Sequence, residues 1–126
     1  MGRLRPRPTD SELAILRVLW ERGPSTVRQV HEAMAGTRDT GYTTTLKLMQ
    51  IMADKGLVTR NEESRTHIYE AMAGEEQTQH QLVKDLVDRA FGGSAATLVM
   101  RAISGHTSDE ELKEIRQLID DYREKR

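Results

Sequence analysis

Two Thr residues, each followed three positions later by Glu or Gln, divide the first part of the chain: Thr9 with Glu12, and Thr26 with Gln29. Each pair has the spacing of a capping box, in which the Thr hydroxyl takes the N3 amide and the N3 side chain reaches back to the amide of the cap. Between the pairs stands Gly23-Pro24, with Gly at the usual place past a helix end and Pro unable to continue a helix. Starts this close, separated by so sharp a stop, demand two short helices joined by a tight turn. Leu13, Leu16, Leu19 and Trp20 recur at helical spacing after the first cap, and Val27, Val30 and Met34 after the second. The second helix ends at Gly36. The loop Thr37 to Gly41 leads into a third, over 42–55, which Gly56 stops.

Two extended runs follow, Leu57 to Glu62 and Arg65 to Ala71, containing the β-branched and aromatic residues Val58, Thr59, Thr66, Ile68 and Tyr69. They predict a β-hairpin. Glu63-Ser64 is a poor two-residue turn, so a longer tip is expected. The rest is helical. Glu75 to Phe91 places Leu82, Val83, Leu86, Val87 and Ala90 on one face and ends at Gly92-Gly93. Ser94 to Ser104 carries Leu98, Val99, Ala102 and Ile103. Ser108 to Arg123 opens on a third capping-box spacing, Ser108 with Glu111, and its Leu112, Ile115, Ile119 and Tyr122 have the stepping of a narrow packing seam. The order predicts a mainly α fold with a small β-hairpin: a winged helix-turn-helix domain plus a C-terminal three-helix dimerisation domain. The expected bounds are 1–8 for a flexible basic arm, 9–73 for the winged helix and 74–126 for the helical dimerisation domain.

The third helix carries the functional signal. On a wheel of about 100° per residue, Thr45, Leu48, Met49 and Met52 share one arc. The opposite arc holds Thr43, Thr44, Lys47 and Gln50, with Asp54 further along. An ordinary solvated face mixes Glu and Lys; this one offers three neutral hydrogen-bonding side chains and one cation. Gln pairs bidentately with adenine, Lys suits guanine or phosphate, and Thr offers a hydroxyl and a methyl. Amides at the helix start, near Thr40 to Thr43, suit a phosphate. Arg60 and Arg65 flank the hairpin tip, with His67 nearby, and fit the DNA backbone or minor groove. Glu62 and Glu63 work against that. Arg3, Arg5 and Arg7 either lie along DNA or belong to a disordered end.

Charge supports this division modestly. The formal net charge is −1, but the first 70 residues hold two more basic than acidic side chains and the remainder three fewer. Apolar residues make up 37% and charged residues 31%, so the core is lean and a partner subunit is expected to complete it. Leu82, Leu86, Leu98, Leu112, Ile115 and Ile119 are the expected dimer interface. No apolar run approaches the roughly 20 residues that cross a bilayer. The basic N-terminus lacks the apolar stretch of a secretory signal, so a cytoplasmic protein is expected. With no Cys there is neither a disulfide nor a thiolate site. The four His are scattered; Glu76 and His80, one turn apart, make at most half of a metal site. No phosphate loop or nucleophile motif appears, so neither enzyme, cofactor nor metal is expected. The alternative is a winged helix used only for protein–protein contact, whose mark would be an apolar or acidic third-helix face.

Tyr42-Thr43-Thr44-Thr45-Leu46, then Lys55-Gly56-Leu57-Val58-Thr59-Arg60 and Ile68-Tyr69, resemble the penicillinase-repressor family, also called BlaI/MecI/CopY. Thr9 to Trp20, with Glu12 and Leu19-Trp20, looks like that family's first helix, and Val27-Arg28-Gln29-Val30 like its second. Gly92-Gly93 and Leu98-Val99 are similar to its dimerisation region. The resemblance spans roughly residues 9–120. It implies a homodimeric transcriptional repressor on a dyad-symmetric operator, controlling resistance or stress genes. It also implies relief by a membrane sensor-protease, whose cleavage region falls at Arg101-Ala102. The absence of Cys removes the copper-branch metal site, and Leu46 and Ile51 stand where members often carry a basic residue. DNA contact carries over only to Thr43, Thr44, Lys47 and Gln50.

Overall fold

Both N-terminal capping boxes close in the computed structural model, which describes residues 7–36, 40–105 and 107–126. Thr9 Oγ1 accepts from the Glu12 amide at 3.2 Å, and Glu12 Oε1 accepts from the Thr9 amide at 2.8 Å. Thr26 and Gln29 repeat the exchange at 3.1 and 2.9 Å. They start α1 (Asp10–Arg22) and α2 (Val27–Met34). Gly23 ends α1 at φ 88°, a left-handed value that other residues adopt only with strain. The third helix, α3 (Tyr42–Lys55), also ends at a Gly of positive φ, Gly56 at 82°, there in the left-handed helical conformation. Residues 1–6, which hold most of the predicted basic arm, lie outside the described residues, as do Thr37, Arg38 and Asp39 of the predicted loop and His106.

The hairpin pairs β1 (Val58–Asn61) with β2 (Ile68–Ala71), antiparallel, with Val58 opposite Ala71 and Arg60 opposite Tyr69. Its strands are shorter than the extended runs and its tip is longer than two residues. Local bonds explain the difference: the Glu63 amide donates to Asn61 Oδ1 at 2.9 Å and the Ser64 hydroxyl donates to the Thr66 carbonyl at 2.5 Å. These turns satisfy the chain beyond Asn61 without a partner strand. Ser25 adds a bridge the sequence does not advertise, exchanging backbone hydrogen bonds with Tyr69 at 2.9 and 2.8 Å. The turn between α1 and α2 is thereby fastened to the wing.

One core joins these elements. Ile15, Leu16 and Leu19 of α1 meet Val27, Val30 and Met34 of α2, Met49 and Met52 of α3, and Val58 and Tyr69 of the wing. Trp20 lies at its margin and donates from Nε1 to the Ala73 carbonyl at 2.9 Å. Glu12 is buried too, at 2% exposure, and the Lys55 ammonium reaches both of its carboxylate oxygens at 2.9 Å. Burial pushes this carboxyl upward; the hydrogen bonds from Lys55 and the Thr9 amide outweigh it and hold it below its ordinary value.

The described residues form two compact units, and the chain passes from one to the other between Leu82 and Val83, within α4 (Glu75–Ala90). The second unit continues through α5 (Ala95–Ile103) and α6 (Asp109–Lys125). Ser94 caps the Thr97 amide and Ser108 the Glu111 amide, each at 3.1 Å; at α6 only this half of the expected capping box forms. None of the described residues of α4, α5 or α6 is buried.

Since folding depresses the Glu12 pKa, its ionisation stabilises the fold above about pH 4.3, the unfolded value, and this contribution is lost as pH falls through the folded value. Glu12→Gln is expected to lower stability at pH 7 by about 2 kcal/mol and to flatten the acid limb of the stability curve. Urea titrations of both proteins between pH 2 and 7 measure both effects; parallel acid limbs would contradict the assignment.

Candidate nucleic-acid interface

Burial of one face fixes what the other face of α3 presents. Thr45, Met49 and Met52 are buried and Leu46 and Leu48 pack at the core's edge, so the helix cannot rotate without opening the core. Thr43, Thr44, Lys47 and Gln50 are all exposed, and their sequence positions put them on one side of the helix. Asp54 is exposed in the same arc. Ile51, also exposed, brings an apolar side chain into it; its signal in the sequence was its position, between Lys47 and Thr44 on the wheel, where the resemblance leads one to expect a base. The N-cap of α3 is Gly41, with no side-chain hydrogen bond to the first turn, whereas Thr or Ser side chains cap α1, α2, α5 and α6. Gly41 thus gives the first-turn amides of α3 no side-chain acceptor of its own, an end that suits an anion.

The wing is less free than its sequence suggests. Arg60 lies on β1 opposite Tyr69. A hydrogen bond to the Tyr69 hydroxyl oxygen, then Glu62 with its oxygen at 3.7 Å, and more distantly Asp54 of α3, raise the guanidinium's pKa further. Glu62 also lies 3.8 Å from His67 Nε2. Arg65 is exposed in the tip. The two arginines thus differ: Arg60 is oriented by neighbours, and Arg65 extends from an exposed turn. Exposed pairs of this kind are weak, so a phosphate can displace Glu62 from Arg60.

The residues expected at a dimer interface occupy the helices after the wing. Leu86 is 49% exposed, Leu112 40% and Ile119 52%, while Leu82, Leu98 and Ile115 are half-buried. Glu76 and His80 are exposed, and among the described residues no three His, Asp or Glu side chains group to hold a metal ion. No helix among them is long and apolar enough to cross a membrane.

Residues 8–121 match the family model described as Penicillinase repressor. A protein called Transcriptional regulator BlaI, from two strains of Mycobacterium tuberculosis, CDC 1551 / Oshkosh and H37Rv, is 39% identical over 93 residues, which are 71% of this chain and 67% of that one. Among solved structures, the monomeric form of Bacillus licheniformis BlaI in complex with the blaP half-operator superposes with a TM-score of 0.51 at 20% identity, over 58% of this chain and 89% of that one. A MarR family protein from Bacillus stearothermophilus superposes with a TM-score of 0.53 at 20% identity, over 93% and 74%. The two structural likenesses establish a winged-helix fold.

Glu62→Gln is expected to tighten binding to any duplex about two- to fivefold at low salt, because it removes a carboxylate that competes with phosphate for Arg60. Fluorescence anisotropy at 50 and 300 mM salt checks this, and the difference should shrink at the higher concentration.

Proposed function

The chain belongs to the penicillinase repressor family, and on that premise we propose how it acts. It is a DNA-binding transcriptional repressor and not an enzyme. The observation that carries the mechanism is the α3 face: an exposed Thr43, Thr44, Lys47 and Gln50 on a helix whose other side is locked into the core. Such a helix enters the major groove as a rigid body, so its side chains meet base edges without first being ordered. Gln50 and the two Thr hydroxyls read bases. Lys47 takes a guanine edge or a phosphate. Arg60 and Arg65 position the wing on the backbone. That the B. licheniformis protein was solved with a half-operator supports duplex DNA as the partner.

The repressor acts as a homodimer on a dyad-symmetric operator. One α3 reads few base pairs at about 1–3 kcal/mol per good contact, and two copies double that and fix the half-site spacing. Exposed Leu86, Leu112 and Ile119 support this assembly, since one protomer leaves them in water. The region from residue 74 onward is the dimerisation domain in this reading. The controlled genes are resistance or stress genes, the setting is cytoplasmic, and a membrane sensor-protease relieves repression near Arg101-Ala102. Both residues are exposed but lie inside α5, so cleavage requires that α5 first unwind locally.

Anisotropy titration against the DNA upstream of its own gene and against a scrambled duplex, at two salt concentrations, tests the reading. The expected result is tighter, salt-sensitive binding to the first, saturating at two protomers per site. Equal weak binding to both overturns it. Lys47→Ala should weaken binding to both duplexes by one factor, and Gln50→Ala should cost about 1–3 kcal/mol of discrimination at one base position. Leu112→Asp combined with Ile115→Asp should shift the sedimentation coefficient from dimer to monomer; an unchanged coefficient rejects the interface.

A further inference from the structure

We infer that Arg28 is a DNA-backbone contact and that Tyr42 is the positioning residue that holds it ready; this rests on the operator-binding reading above. Arg28 is the second residue of α2 and Tyr42 the first of α3, fourteen positions apart in sequence. In the fold they meet. The Arg28 guanidinium carbon lies over the Tyr42 ring, 5.3 Å from its centroid. His31, one turn after Arg28 on the same helix, meets the same ring edge-on, with centroids 5.8 Å apart and planes at 86°. Two residues of α2 thus grip the first side chain of the recognition helix.

The chemistry of the pair leaves Arg28 with capacity for a ligand. A ring face attracts a cation but has no oxygen lone pairs to accept its N–H groups. Among the described residues, no carboxylate lies within ion-pair reach of Arg28; its described ion-paired counterparts are Lys55 with Glu12, Arg60 with Glu62 and Lys84 with Asp88. Arg28 is exposed, and Tyr42 remains 40% exposed despite both contacts. An oriented guanidinium with donors to spare fits the non-bridging oxygens of a phosphodiester, which it can take two at a time.

Its place in the fold selects which phosphates. Tyr42 immediately precedes Thr43 and Thr44, so Arg28 stands beside the end of α3 that leads into the groove. In a helix-turn-helix the helix before the recognition helix crosses the backbone flanking that groove. Arg28 therefore clamps the strand along which α3 enters. Since the clamp and the reading helix are joined through Tyr42, the phosphate contact sets how far Thr43, Thr44 and Lys47 reach in.

The test uses the full-length protein, a duplex spanning the footprinted site upstream of its own gene, and a scrambled duplex, by anisotropy at four salt concentrations. Arg28→Ala is expected to weaken binding to both duplexes by the same factor, about three- to tenfold per protomer, and to lower the salt slope by about one per protomer. Tyr42→Leu should reproduce most of that loss in the presence of Arg28 and add nothing to Arg28→Ala. Tyr42→Phe, which keeps the ring face, should bind as the wild type does, and its thermal melt guards against misreading a folding defect. Unchanged affinity and slope in Arg28→Ala, beside a wild type that selects its operator, overturn this inference alone. A Tyr42→Leu loss that persists without Arg28 overturns the positioning role. A wild type that does not select the operator overturns both this inference and the parent reading.

Discussion

The Glu12 carboxylate ties the start of the first helix to the end of the third, and the placement of α3 depends on that link. The same side chain closes the α1 capping box through Thr9 and accepts both short contacts from Lys55. A carboxylate buried to 2% exposure is costly unless its oxygens are satisfied, and here both are. Lys55 is the last residue of α3, where the helix dipole also favours a cation. One side chain therefore completes the α1 cap and ties the last residue of α3 to the start of α1.

The rest of the N-terminal unit elaborates this frame. Met49 and Met52 fill the space between α3 and the first two helices, which sets the rotation of α3 about its axis. The Ser25–Tyr69 bridge and the Trp20 bond to Ala73 fasten both ends of β2 to the helices. Tyr42, held by Arg28 and His31, fixes the leading end of α3 as Lys55 fixes the trailing end. A chain of net charge −1 has little long-range pull on DNA. Local placement of cations must supply the attraction, and Glu62 beside Arg60 moderates even that. On the proposed reading, such an arrangement favours discrimination by base contacts over indiscriminate affinity.

The helices after the wing follow different physics. Their apolar residues are spaced for packing, yet the described protomer buries none of them. Charged residues make up 31% of the chain, and the large apolar ones are divided between a closed N-terminal core and this open set. The proposed homodimer answers both halves of that division, since a second copy covers the open faces and brings a second α3 to the operator.

The sequence by itself determined the element order, the helix starts at Thr9 and Thr26 and the stops at Gly23 and Gly56, because each depends on interactions within three or four residues, and it grouped the polar arc of α3, because helical periodicity does so. Its extended runs overshot the strands, since the Asn61 and Ser64 turns compete locally with pairing. Glu12 was legible as a cap but not as the partner of Lys55, forty-three positions away. Arg28 read only as part of a resemblance, and Arg60 as a wing-tip cation for DNA, with no sign of its contact to Tyr69. What the tertiary structure alone decided is which charges are paired and which are left for a ligand. The reason is that Coulombic and hydrogen-bonding partners are set by distances across the core, and periodicity along the chain carries no record of them.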